Sequence, residues 1–173
     1  MNLRFLPPVN EGAADKEIKL ACLRVGSAFY ALDILVIREI IRPLPIIPVP
    51  RAPDYVEGVI TLRKAVIPIL DLRRRFGIEP CSEPHERIII CAVDGRIIGL
   101  KVDAVTEVVT FWRDEIQPAP YYMARADSEF FPGVCRHKGK LLFLLDLRKI
   151  LVNNHRINAA QLQQQALEGV KKD

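Results

Sequence analysis

The chain has 173 residues, half of them apolar, and its 25 basic and 21 acidic side chains leave a formal charge of +4. That length fits one ordinary domain or two very small ones, and that apolar content excludes wholesale disorder. The small basic surplus is interspersed with acids, unlike a nucleic-acid binder's concentrated face or tail; the densest groups, Arg73–Arg75 and Arg136, His137, Lys138 and Lys140, read as solvated surface.

Residues 1–16 carry Pro7, Pro8 and Gly12 with little periodicity, and they read as a loose leader without the apolar core of a secretory signal. From Ile18 onward, short apolar runs alternate with turn residues. IKLACLRV (18–25) precedes Gly26–Ser27, and RIIICAV (87–93) precedes Asp94–Gly95, with RIIGLKV (96–102) as the return strand. Asp-Gly between two apolar runs is a hairpin signal, because both residues tolerate positive φ. KLLFLLDL (140–147) follows another tight-turn candidate, Lys138–Gly139. Runs of Ile, Val and Leu of this length suit half-buried strands, so the core is expected to be all-β. The prolines of PLPIIPVPRAP (43–53) lack N–H groups and fix φ, which makes that segment an extended surface connector. Near the end, Ala159, Leu162, Ala166 and Val170 fall on one narrow face and predict a C-terminal α-helix packed on the core.

An internal repeat organises these elements. Shifted by 75 positions, GVITLRKAVIPILDLRRRF (58–76) lies on GVCRHKGKLLFLLDLRKIL (133–151) without a gap, with six of nineteen positions identical. Upstream, FYALDILVIREII (29–41) resembles IIGLKVDAVTEVV (97–109) at a shift of 68, which sets Glu39 on Glu107. Two copies of about 65 residues have little interior each, so they are expected to form two small barrels sharing a core. The expected organisation is a leader over 1–16, a two-barrel domain over 17–155, and a helix and tail over 156–173.

The chemistry on offer is sparse. Asp71 and Asp146 are repeat-equivalent, and each precedes Leu-Arg, so they read as caps of helical turns rather than as paired catalytic carboxylates. The three histidines lack metal-ligand spacing, and no serine or glycine-rich loop sits in a catalytic or phosphate-binding context. Cys22, Cys81, Cys91 and Cys135 have no paired framework, and they read as core residues in a reducing compartment. No catalytic residue, metal or cofactor is expected. A small nucleic-acid-binding barrel would need basic residues interleaved with exposed aromatics; only Phe111–Trp112–Arg113 and Tyr121–Tyr122 hint at that.

The segment PRAPDYVEGVITLRKAVIPILDLRRRFG (50–77) resembles the signature of CheW-like domains: a proline-rich approach, an aromatic, Gly-Val, Thr-Leu-Arg, then an apolar strand ending Pro-x-x-Asp-Leu. ALDILVIREI, GRIIGLKVDAVTEVV and FFPGVCRHKGKLLFLLDLRKIL resemble further motifs of that family, so the likeness runs from about Ile18 to Leu151. The resemblance implies two intertwined five-stranded β-barrels and a non-catalytic scaffold. Such an adaptor couples the cytoplasmic tip of a methyl-accepting chemoreceptor to the regulatory domain of a CheA-type histidine kinase. It would be cytoplasmic, associated with membrane-bound receptor arrays but not inserted in the membrane, and not a nucleic-acid binder; the alternative output is a chemosensory pathway other than chemotaxis. Carried over by position, Ile37 and Glu39 match kinase contacts, and Gly58, Arg63, Ile97 and Ile98 match positions lining or supporting a receptor groove. One departure stands out. The family usually has Gly after Leu-Arg, where this chain has Lys64, so strain or an altered hairpin is expected there.

Overall fold

The computed structural model describes residues 17–79, 82–118 and 130–152. In chain order the strands are β1 (Glu17–Val25), β2 (Ala28–Asp33), β3 (Ile37–Ile41), β4 (Val56–Leu62) and β5 (Ala65–Asp71), followed by α1 (Leu72–Arg75). The second half continues with β6 (Arg87–Val93), β7 (Arg96–Val102), β8 (Ala104–Trp112), β9 (Gln117–Pro118), β10 (Gly133–His137), β11 (Lys140–Leu144) and α2 (Leu147–Val152). Two-residue turns join the hairpins β1–β2, β4–β5, β6–β7 and β10–β11, and the last three turns have positive φ at both central positions: Arg63 47° and Lys64 67°, Asp94 49° and Gly95 75°, Lys138 50° and Gly139 74°. That geometry matches the right-handed twist of the flanking strands. The hairpin at Lys64 is therefore the same as its glycine-bearing equivalent, and the lysine bears the strain.

The strands form two sheets, ordered β8-β1-β2-β11-β10-β9 and β3-β6-β7-β5-β4. The pairings intertwine the halves. β5 runs parallel to β7 of the second half, and β11 runs parallel to β2 of the first. Each third strand also crosses over: β3 pairs with β6, and β8 pairs with β1. Neither half can close its sheet without the other. The expected repeat extends to a small detail, since Ile47 of the proline-rich connector bridges Val59 just as Gln117 pairs with Val134, 75 residues on. The expected five strands become six in one sheet through the two-residue β9.

Three apolar clusters follow from this topology. One lies within the six-stranded sheet around Leu20, Phe111, Cys135 and Leu144, and one within the five-stranded sheet around Ile60, Ile69 and Ile88. The third is shared: Leu23, Val25 and Leu32 meet Leu70, Ile89, Leu100 and Val102, with Leu72 of α1 and Leu147 and Ile150 of α2 closing it. Each such aliphatic side chain contributes about 1.5–3 kcal/mol when fully buried.

At the shared core, two arginines depart from the expected solvated surface. Arg74 is exposed, but Arg73 and Arg75 are 2% and 1% exposed. The Arg75 guanidinium donates to the Ile150 carbonyl at 3.1 Å and lies over the Tyr55 ring at 4.5 Å and the Phe130 ring at 5.6 Å. Ile150 is the repeat partner of Arg75, so this contact joins the two helical turns. Sequence periodicity missed it because a four-residue helical turn has no face to read. The expected leader (1–16), the helix over 156–173 and Tyr121–Tyr122 lie outside the described residues.

Candidate functional site

Of the site residues implied by the family motifs, Arg63 and Ile97 share one end of the five-stranded sheet, while Gly58, opposite Ile69, lies toward the other. β5 and β7 are parallel neighbours, so the Arg63–Lys64 turn before β5 and the start of β7 with Ile97 share that end. β3 pairs antiparallel to β6, with Ile37 opposite Cys91 and Glu39 opposite Ile90. Asp33 starts this arrangement. Its carboxylate accepts from the Leu35 N–H at 2.9 Å and caps the 3₁₀ turn Ile34–Val36, which breaks β2 from β3 and redirects the chain to the other sheet.

Arg63 and Glu39 are in direct contact. Nη1 of Arg63 lies 2.8 Å from Oε2 of Glu39, the arginine side chain 75% exposed and the glutamate 26%. The two edges of the sheet, β3 and the β4–β5 hairpin, are thereby linked by charge. Ile37 packs partly buried against the shared core. Ile97 projects outward at 42% exposure, whereas Ile98 is 4% exposed and belongs to the shared core. Ile98 thus offers no area to a docking partner; strand alternation turns it inward and leaves Ile97 as the surface residue. Gly58 is buried beneath the connector: a Cβ there would stand 2.2 Å from the Ile47 carbonyl oxygen. Its role is close backbone approach, which only glycine permits. Gly133 repeats the device, a Cβ meeting Cγ2 of Ile116 at 2.9 Å and the Gln117 carbonyl oxygen at 3.1 Å.

The second half carries an equivalent clasp that sequence reading left as surface residues. Glu107 on β8 accepts from Lys138 at 3.4 Å and lies 3.0 Å from Nε2 of His137. Combining the two repeat shifts, 68 for the glutamates and 75 for the turn, would have brought Glu107 and Lys138 together as Glu39 and Arg63 are.

At the opposite end of β5 and β7 runs a buried ionic network. Arg73 binds both oxygens of Asp71, at 3.0 and 3.1 Å, and reaches Asp103 at 3.0 Å and Glu86 at 3.2 Å. Burial alone would lower the pKa of this guanidinium, but hydrogen bonds and charge from Asp71, with Asp103 and Glu86, carry it upward. Asp103 also accepts from the Gly26 N–H at 2.6 Å, so the network ties α1 to the β1–β2 turn of the other sheet. Lys101 adds contacts of 3.0 Å to Glu57 and 3.2 Å to Glu86.

None of these groups forms a nucleophile–base pair. Asp71 and Asp146 are caps as expected, accepting from the Arg73 and Arg148 N–H groups at 2.9 and 3.0 Å. Cys22, Cys91 and Cys135 are buried free thiols; burial pushes Cys22 up to about 11 and the other two to about 12, so all stay protonated near neutrality. Among the described residues there is no group of three or more His, Cys, Asp or Glu able to hold a metal, and no helix long and apolar enough to cross a membrane.

Two intertwined sheets, the five-stranded one joined edge to edge by the Glu39–Arg63 ion pair, define a small β fold. The model of the CheW-like domain matches residues 19–155, so the chain belongs to the CheW-like domain family. It is 37% identical over 140 residues to the chemotaxis protein CheW of Rhizobium meliloti, covering 80% of this chain and 90% of that protein. It is 29% identical over 141 residues to the chemotaxis protein CheW of Treponema pallidum, covering 79% and 83%. Among solved structures, the scaffolding protein TtCheW of Thermoanaerobacter tengcongensis matches with a TM-score of 0.74 and 31% identity, over 80% of this chain and 95% of that one.

Proposed function

We propose that this protein is a non-catalytic adaptor that couples chemoreceptors to a CheA-type histidine kinase in bacterial chemosensory signalling. Membership of a family whose relatives are named as chemotaxis and scaffolding proteins supports the reading. The observation that supports it here is the direct contact of Glu39 with Arg63, with Arg63 and Ile97 exposed.

In this reading Arg63 forks onto carbonyls or carboxylates of a receptor's cytoplasmic tip while Ile97 is covered by the same helix. Ile37 and Glu39, on the edge strand β3, meet the kinase regulatory domain edge to edge. Gly58 and Ile98 act from beneath, one seating the connector and the other filling the core. The adaptor works in the cytoplasm, held at receptor arrays through these contacts.

Binary binding assays with a purified receptor fragment and a purified kinase regulatory domain test the assignment. Folded Arg63→Ala is expected to lose most affinity for the receptor fragment, and folded Glu39→Ala most affinity for the kinase domain. Unchanged binding of both partners by both variants would refute these roles.

A further inference from the structure

Just past the end of β3 lies a cavity of about 390 Å³, lined by Arg42, Ser82, Glu83, Glu86 and Arg87. Its volume falls within the range of about 300–1,000 Å³ of small-molecule sites. Pro43 and Pro84 also line it, and they stiffen the wall without supplying an N–H donor. None of Ile37, Glu39, Arg63 or Ile97 reaches it, so it is distinct from the partner contacts proposed above.

Strand register brings the two arginines together. β3 pairs antiparallel with β6, Ile40 opposite Ile89 and Ile41 opposite Ile88, and the next step sets Arg42 against Arg87. Like charges directly opposite on paired strands are destabilising. Arg42 is exposed and makes no ion pair among the described residues. Nη1 of Arg87 donates to the Glu86 carbonyl at 2.7 Å, but no carboxylate among the described residues pairs with it.

The glutamates of the same wall are already engaged. Oε2 of Glu83 lies 3.2 Å from Nη2 of Arg24, and Glu86 is held between Arg73 and Lys101, at 3.2 Å from each. These pairs belong to one network, in which Arg24, Arg73, Arg74 and Lys101 meet Glu57, Asp71, Glu83, Glu86 and Asp103. Its four cations fall one short of its five carboxylates. Arg42 and Arg87 turn that deficit into a surplus of one positive charge at the cavity.

We propose that the cavity binds the carboxylate of a small organic acid between Arg42 and Arg87. A planar carboxylate presents two oxygens that match guanidinium forks, and the Ser82 hydroxyl is a further donor on the same wall. One such group cancels the surplus charge and relieves the repulsion between the two guanidiniums. A phosphate dianion overshoots that balance and sets an extra negative charge against the engaged carboxylates of Glu83 and Glu86.

NMR titration of the isotope-labelled full chain tests the site, with sodium acetate as the probe and sodium chloride at matched ionic strength as the reference. Saturable shifts are expected at the amides of Arg42, Ser82, Glu83 and Glu86. At mildly alkaline pH, inorganic phosphate is expected to bind more weakly than acetate. Arg42→Gln and Arg87→Gln should each weaken acetate binding about ten-fold, the loss of one charge-assisted contact. Arg96→Gln, at the exposed start of β7, should leave it unchanged. Shifts that chloride reproduces, phosphate binding as tight as that of acetate, or undiminished binding by either folded cavity variant would overturn the proposal. The titrations of the unaltered protein decide it even if a variant fails to fold.

Discussion

Arg63 and Glu39, which the family motifs assign to different partners, are bonded to each other at 2.8 Å. A substitution at either residue therefore acts on both, by removing one contact with a partner and by freeing the other side chain. Single-variant binding data will mix these effects unless the pair is treated as a unit.

The first prediction is a coupling between them. Arg63→Ala, Glu39→Ala and the double variant should show non-additive stability, with an interaction of under about 1 kcal/mol because the arginine is largely solvated and screened. Urea melts of the four proteins measure it. Strict additivity would mean that the contact has no energetic weight.

A second prediction concerns the strained turn. Lys64 has φ of 67° where its repeat equivalent, Gly139, has 74°. A left-handed non-glycine residue costs about 1–2 kcal/mol, and glycine returns part of that through unfolded-state entropy. Lys64→Gly is thus expected to stabilise the protein by about 0.5 kcal/mol, and Gly139→Lys to destabilise it by a similar amount. Thermal melts that show loss of stability for Lys64→Gly would contradict the strain.

The repeat-equivalent glycines Gly58 and Gly133 should respond unequally to alanine. At Gly58 the new methyl would meet a backbone carbonyl oxygen at 2.2 Å, which cannot swing aside; at Gly133 its nearest neighbour is the side-chain methyl of Ile116 at 2.9 Å. Gly58→Ala is expected to cost about 2–3 kcal/mol by forced displacement of the connector, and Gly133→Ala less. Equal costs in denaturant unfolding would show that the close approach at Ile47 does not matter.

Arg73 and Arg148 occupy the same place in the repeat but differ in surroundings. Arg73 is buried among Asp71, Asp103 and Glu86, while Arg148 makes one contact of 3.2 Å to Asp94, both side chains more than half exposed. Removing the buried partner strands carboxylates, so Arg73→Ala should cost about 3–5 kcal/mol, against under 1 kcal/mol for Arg148→Ala. Comparable losses in the two variants would refute the distinction.

Much of this was legible in the amino-acid order. The Asp-Gly and Lys-Gly turns, the apolar runs and the 75-residue repeat anticipated the hairpins, and Asp71 and Asp146 are the caps their context predicted. Strand alternation implies that Ile97 and Ile98 cannot both face a partner, but it does not say which is outside. What could not be read was the pairing between halves. Arg73 and Arg75 look like surface residues until β5, β7 and the two helical turns are packed together, because their carboxylate and carbonyl partners lie up to 75 residues away. The Glu39–Arg63 contact was hidden for the same reason, its members being placed by sheet closure and not by local sequence.

The central claim, that one small protein bridges receptor and kinase, is tested most directly by co-sedimentation. Receptor cytoplasmic fragments displayed on vesicles would be mixed with the CheA-type kinase, with and without this protein. The kinase is expected to sediment with the vesicles only when the protein is present, and Arg63→Ala to reduce the amount recovered. Kinase recovery that is the same with and without the protein would contradict it.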